Sequence, residues 1–352
     1  MKAGCIDTLK YNAAIRKGVQ WLRPLLSEDG SYKAHVATLE AYYKSPMAFA
    51  KVGNIADGQR VLQWIVHTYL TKDGHFQDSS AYPFSQRYCD LYRDLWLVWG
   101  AHHLNQSDVV QRCFNFVLRY YDSSCGGFQS SIATKHLDAM FDLRSTAFGG
   151  LVSLYTKNTE VALKAGNFVI EMLNLQPDLS KGFYLVRDAG GNLITNFSRK
   201  IERFFIVSQS QKQPLFYALG FAISFLTKLY HVTHKTEYWA AAETYLRICE
   251  TFGQRIFQHH YSGKIGWGLA MMHNLTENPQ YVELTVSVAD YLVSMQLPTG
   301  EWYLSSLFSK PRKQPIGLTI DRTAEYIVWL TYIVHELNRR KNSTNKQSKS
   351  LT

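Results

Sequence analysis

Apolar residues recur along most of the chain at helical spacing, as at Leu91, Leu95 and Val98 or at Ile327, Leu330, Val334 and Leu337. Two kinds of helical segment alternate. Gly58 to Tyr69 and Tyr238 to Glu250 are amphipathic and charged, as an outer helix with one wet face requires. Asp94 to Leu104 and Leu215 to Leu226 are apolar all round, which suits an inner helix buried on both sides. Between them recurs a turn followed by a short aromatic segment: SEDGSYK, TKDGHFQ, SCGGFQS, KGFYLVRDAGG, GKIGWG and PTGEWYL, with glycines at Gly30, Gly74, Gly127, Gly182, Gly266 and Gly300. The widest interval carries an insertion around Arg187 to Gln213. The pattern predicts an all-α fold, a single (α/α)6 toroid over residues 1–337 whose inner helices close around one deep, aromatic-rich cavity. Strands are expected only in the turns.

Composition narrows this without changing it. The chain has 352 residues, 46% of them hydrophobic, enough for a sizeable core. Met1 to Gly18 mixes charges with apolar residues and has no secretory core, and the apolar stretch Pro214 to Leu226 is too short to span a bilayer, so a cytoplasmic protein is expected. Cys5, Cys89, Cys113, Cys125 and Cys249 form no CxxC pair, and they read as reduced thiols. Half of the formal charge of +10 falls in the segment 338–352, where Arg339, Arg340, Lys341, Lys346 and Lys349 meet no acid and a disordered basic tail is expected. The body lacks a basic stripe interleaved with aromatics, which argues against nucleic acid, while its residual positive charge favours an anionic small-molecule substrate.

The segment Gly74 to Ser131, GHFQDSSAYPFSQRYCDLYRDLWLVWGAHHLNQ and then RCFNFVLRYYDSSCGGFQSS, resembles the squalene-hopene cyclase superfamily. There an aromatic turn leads into an Asp-x-Asp-Asp acid motif, an apolar inner helix, an outer helix and the next Gly-Gly-aromatic turn. The order and spacing match, but the acid motif differs: the family's first Asp falls on Asp90, its central proton donor on Tyr92 and the next on Arg93, with Asp94 one helical turn beyond Asp90. LTIDRTAEYIVWL, Leu318 to Leu330, is similar to the same pattern, with Asp321 nearest the central acid, and FDLRSTAFGGL from Phe141 repeats the shape with Arg144 in its place. The resemblance implies a one-domain, cofactor-independent, class II type terpenoid cyclase. Toroids of this kind also serve prenyltransferases, sugar and uronate epimerases, lyases and hydrolases, so fold alone does not choose among them.

Three carboxylate pairs stand at i, i+4 near inner-helix starts: Asp90 with Asp94, Asp138 with Asp142, and Asp321 with Glu325. A buried carboxyl beside another has a raised pKa and can donate a proton, which makes Asp90, Asp94 and Asp321 the candidate catalytic acids, the first pair ahead of Asp321. Acids at helix starts are also favoured by the helix dipole without catalysis, and neighbouring arginines offer ion pairs. Tyr92, Trp96, Trp99, Tyr217, Trp267, Trp302 and Trp329, with Asp142 and Glu325, are the candidate substrate wall, whose rings could stabilise a carbocation or stack on a sugar. No metal or nucleotide motif occurs. The adjacent pairs His102–His103 and His259–His260 fit no ligand geometry, Cys89 has no evident partner, and Arg187, Arg199, Lys200 and Arg203 cluster in the insertion as a potential anion clamp. The expected function is therefore protonation and ring closure of a prenylated molecule, with the residual positive charge favouring an anionic one. The alternatives are a carbohydrate enzyme and a non-catalytic binding toroid; the latter predicts ion-paired carboxylates and a cavity filled by side chains.

Overall fold

The segments that are apolar all round become an inner ring because only a second ring of helices can cover their outer side. The computed structural model describes residues 7–33, 38–78, 83–132, 138–276 and 278–349, of which 83–89 and 340–349 are described by backbone alone. Helices in chain order are α1 (Leu9–Leu22), α2 (Ser45–Lys51), α3 (Ile55–Tyr69), α4 (Pro83–His103), α5 (Ser107–Val117), α6 (Leu143–Tyr155), α7 (Thr159–Asn174), α8 (Glu202–Phe205), α9 (Tyr217–Thr233), α10 (Thr236–Glu250), α11 (Gln254–Phe257), α12 (Gly263–Thr276), α13 (Pro279–Ser294) and α14 (Ile316–Lys349). Contacts run round an inner ring α2, α4, α6, α9, α12, α14 and back to α2, while α1, α3, α5, α7, α10 and α13 pack outside it. This is the expected toroid of helix pairs. Among the described residues, four short strands, β1 (Met140–Asp142), β2 (Phe183–Tyr184), β3 (Val186–Asp188) and β4 (Ile206–Val207), pair antiparallel as β1 with β3 and β2 with β4, all in the connections.

The aromatic turns stitch the rings together. The N–H of Phe76 is accepted by Asp94 of α4 at 3.1 Å, that of Phe128 by Thr146 of α6 at 2.9 Å, and that of Trp302 by Thr323 of α14 at 3.2 Å. Asp94, Thr146 and Thr323 thus hold one register in three units. Four of the turns also carry a left-handed glycine against the next outer helix, at Gly30, Gly74, Gly126 and Gly300. Gly300 has φ +113°, and a Cβ there would lie 2.3 Å from the Lys17 carbonyl of α1, so this turn closes the ring against the first helix.

Two details depart from the sequence pattern. In SCGGFQS the left-handed residue is Gly126, not Gly127. GKIGWG is not a turn: Gly263 and Gly266 lie in the first turn of α12, where the missing side chains let Trp329 and Val288 approach the backbone. The final helix runs to Lys349, and its last stretch contains neither Gly nor Pro. Among the described residues, no helix is long and apolar enough to cross a membrane.

Gly300→Ala combines a left-handed backbone with a clash against a carbonyl, and should lower unfolding stability by about 1–3 kcal/mol in a denaturant titration.

Candidate active site

The N-terminal ends of the inner helices gather at one mouth, and the side chains there decide what the toroid can hold. A cavity of about 310 Å³ opens at this mouth, walled by Glu40, Tyr43, Lys44, Tyr92, Arg93 and Leu215, by Tyr217, Tyr261, Lys264 and Arg322, and by Arg203 and Phe204 of α8. Its lining carries five cations and one carboxylate. Below it the axis is filled by rings: Trp96 lies 5.4 Å from Trp329, Trp99 5.9 Å from Trp267, Phe148 4.4 Å from Phe221, and Trp267 4.4 Å from Tyr332. The depth expected to be open is therefore largely occupied by side chains.

Glu325 organises the floor. It is 1% exposed, and its carboxylate meets Lys44 Nζ at 2.7 Å, Arg322 Nη1 at 2.5 Å, the Lys264 ammonium, and Trp329 Nε1 at 3.1 Å. Burial alone would favour its neutral form, but Lys264, Lys44 and Arg322 hold it well below the usual carboxylate range. Asp321, one turn earlier, is 2.9 Å from Lys44 and 3.5 Å from Arg322 Nε. Lys264 also lies over the rings of Trp329 at 4.9 Å, Tyr217 at 5.2 Å and Phe221 at 5.6 Å. Burial, with help from Lys44 and Arg322 and against the pull of Glu325, brings its pKa down to about 8.

The residues expected from sequence divide sharply. Tyr92 and Tyr217 line the mouth, Trp96, Trp99, Trp267 and Trp329 fill the axis beneath it, and Asp321 and Glu325 lie behind the lining, paired with its cations Lys44, Lys264 and Arg322. Asp90 and Asp94, the favoured acid pair, are not brought to the cavity. Asp94 is fully buried, and its oxygens accept from the Phe76 N–H and pair with His75 Nδ1 at 3.0 Å, while Asp90 accepts from Arg93 at 2.9 Å and Tyr120 at 2.8 Å. Burial does raise the Asp94 pKa, yet the carboxyl is aimed at the turn. The physical reason is helical register: Asp94 occupies the turn-capping position, and the residue two places earlier, Tyr92, points inward, as Arg144 and Asp321 do relative to Thr146 and Thr323.

Asp142 is the N-cap of α6, accepting from Ser145 N at 2.8 Å, and its partner Asp138 is exposed. Trp302 is a structural wedge, donating from Nε1 to the Leu292 carbonyl at 2.7 Å and packing on Tyr326 and Gly18, away from the cavity. Of the insertion cluster only Arg203 reaches the mouth; Arg187 is buried against Glu171 and Phe168 of α7, and Arg199 and Lys200 are exposed. His259 and His260 stack 4.1 Å apart, their pKa values brought down to about 4 and about 2 chiefly by burial. The Cys89 side chain lies outside the described residues, and among those residues no cluster of three His, Cys, Asp or Glu could hold a metal ion. Sequence reading missed Tyr43, Lys44, Tyr261 and Lys264. Their signal was a lone lysine in an aromatic or glycine-rich stretch at an inner-helix start, in YYKSP and GKIGWG.

Two substitutions separate support from site. Asp94→Ala leaves the Phe76 N–H unpaired in the core and should cost about 1–3 kcal/mol, whereas Asp94→Thr, the residue used in two other units, should recover most of it in urea unfolding. Glu325→Gln strips three cations of their shared counter-charge and should cost about 3–5 kcal/mol, read from the same unfolding curves.

No family model matches the chain, and no curated protein matches it. Solved structures of the same fold do. A D-mannose isomerase is 10% identical with a TM-score of 0.67, covering 94% of this chain and 99% of its own. The GH76 alpha-mannanase of Bacteroides thetaiotaomicron is 12% identical at 0.63, covering 94% and 97%. A type II terpene cyclase from Scytonema, bound to its product merosterolic acid A, is 11% identical at 0.56, covering 94% and 98%. At these identities the likeness concerns the fold: the chain is an α/α toroid of the architecture shared by sugar isomerases, glycoside hydrolases and terpene cyclases.

Proposed function

We propose that the mouth is the active site of a cofactor-independent isomerase or epimerase acting on a small anionic molecule with a carbonyl group, of the sugar-acid class. The observation that carries this reading is the charge of the lining, in which Lys44, Arg93, Arg203, Lys264 and Arg322 face the cavity against Glu40. Fixed cations in a site withdrawn from water stabilise a carboxylate and a developing enolate oxygen. They oppose a free carbocation. In this reading Lys44, Arg93 and Arg322 hold the anion, Tyr43, Tyr217 and Tyr261 stack on or bond to its body, and Asp321, kept as a partner of Lys44 and Arg322, accepts the proton from the carbon beside the carbonyl. The volume of about 310 Å³ suits a molecule of this size and excludes a long chain unless the rings below move.

A second reading, the terpenoid cyclase, has one observation in its favour. The rings of Tyr92, Trp96, Trp99 and Trp329 form a continuous surface under the mouth, and the Scytonema cyclase binds geranylgeranyl dihydroxybenzoate. Its acid would be Asp321, which would have to give up its cations to carry a proton.

Incubation in deuterated water with D-glucuronate, D-galacturonate and D-mannuronate, alongside geranylgeranyl dihydroxybenzoate, distinguishes the two by NMR. Deuterium should enter beside the carbonyl of at least one uronate, and Asp321→Asn should slow this by about 10²–10⁴-fold. Cyclisation of the prenylated acid without exchange into any uronate would replace the first reading by the second.

A further inference from the structure

Two amines at the mouth share one carboxylate, but they are not equivalent. Lys44 is spread over two acids, Asp321 at 2.9 Å and Glu325 at 2.7 Å. Among the described residues Lys264 pairs with one acid, Glu325; it is 1% exposed, lines the cavity, and lies over the faces of Trp329, Tyr217 and Phe221. A desolvated amine next to other cations is the environment in which lysine becomes a nucleophile toward carbonyl groups. Two other partly buried lysines with lowered pKa values, Lys51 and Lys228, sit over Tyr332 and Tyr155 at the opposite end of the inner helices, away from this cavity.

We propose that Lys264 is a covalent site, whose amine condenses with the carbonyl carbon of an anionic aldehyde or keto acid to form an iminium ion, with Lys44 and Arg322 holding the substrate's carboxylate. The inference rests on the anionic carbonyl substrate of the preceding section and deepens it by giving Lys264 a role that charge alone does not require. The step balances without a redox partner. A nitrogen–carbon bond forms, the carbonyl carbon–oxygen bond breaks, and the oxygen leaves as water with two protons from the ammonium group. The nitrogen is neutral only while it attacks and is positively charged again in the iminium, so Glu325 has a counter-ion before and after condensation. The iminium then acidifies the neighbouring C–H, the bond that the isomerase reading breaks.

The test uses the full chain with glyoxylate as the probe and cyanoborohydride to reduce any imine to a stable secondary amine, mapped by peptide mass spectrometry. Lys264 should be modified ahead of every other lysine. Its labelling should rise as pH increases through about 8, where the amine loses its proton, and should fall when succinate, an anion without a reactive carbonyl, competes for the mouth. Lys264→Arg, which keeps the cation over Glu325, should lose that adduct while retaining succinate binding by calorimetry. Labelling of other lysines with Lys264 untouched overturns the proposal. If deuterium still enters a uronate in that case, the isomerase reading survives with a simple acid–base mechanism; if neither exchange nor succinate binding occurs, the anionic-site reading falls with it.

Discussion

Glu325 stands at the seam where the ring of helices closes. It lies on α14, the last inner helix, and binds Lys44 at the start of α2, the first, while Lys264 brings in α12 from the other side. A carboxylate buried among three cations is costly to desolvate and costlier to leave unpaired, so the group can persist only where its partners are fixed. The seam is fixed independently by Gly300 against α1 and by the contacts of α14 with α1 and α2. The same charge cluster thus joins the first and last inner helices and lies directly behind the lining of the cavity.

The walls follow from register. On α4, α6 and α14 the residues that hold the aromatic turns, Asp94, Thr146 and Thr323, face outward, and positions two residues away face the axis. That step places Tyr92, Arg144 and Asp321 in one layer, and Trp96, Phe148 and Glu325 in the next. A hydroxyl or a carboxylate can serve the outward position equally well, because either accepts from a turn N–H. An acid in the sequence at that position therefore says little about catalysis.

Size and charge at the mouth come from different parts of the chain. The inner helices supply lysines and arginines above a floor of packed rings, and the insertion between α7 and α9 lays Arg203 and Phe204 of α8 over the edge. The result is a cation-lined cavity above packed aromatic rings. The solved toroids of similar fold include a D-mannose isomerase, an alpha-mannanase and a type II terpene cyclase.

The sequence alone determined the architecture, because helical periodicity, alternation of amphipathic with wholly apolar segments and glycine–aromatic turns are local properties that a double ring requires. It also placed the aromatics and the pair Asp321 and Glu325 near inner-helix starts, and the excess of positive charge favoured an anion. It did not reveal which face of each helix looked inward: with spacing i, i+4 on both, Asp90 with Asp94 and Asp321 with Glu325 are indistinguishable until the helices are rotated into place. Only the tertiary structure set Lys44 and Lys264, 220 positions apart in the chain, on the two oxygens of one carboxylate. Local pattern encodes what a segment must bury, whereas the meeting of distant charges depends on ring closure, which no local segment contains.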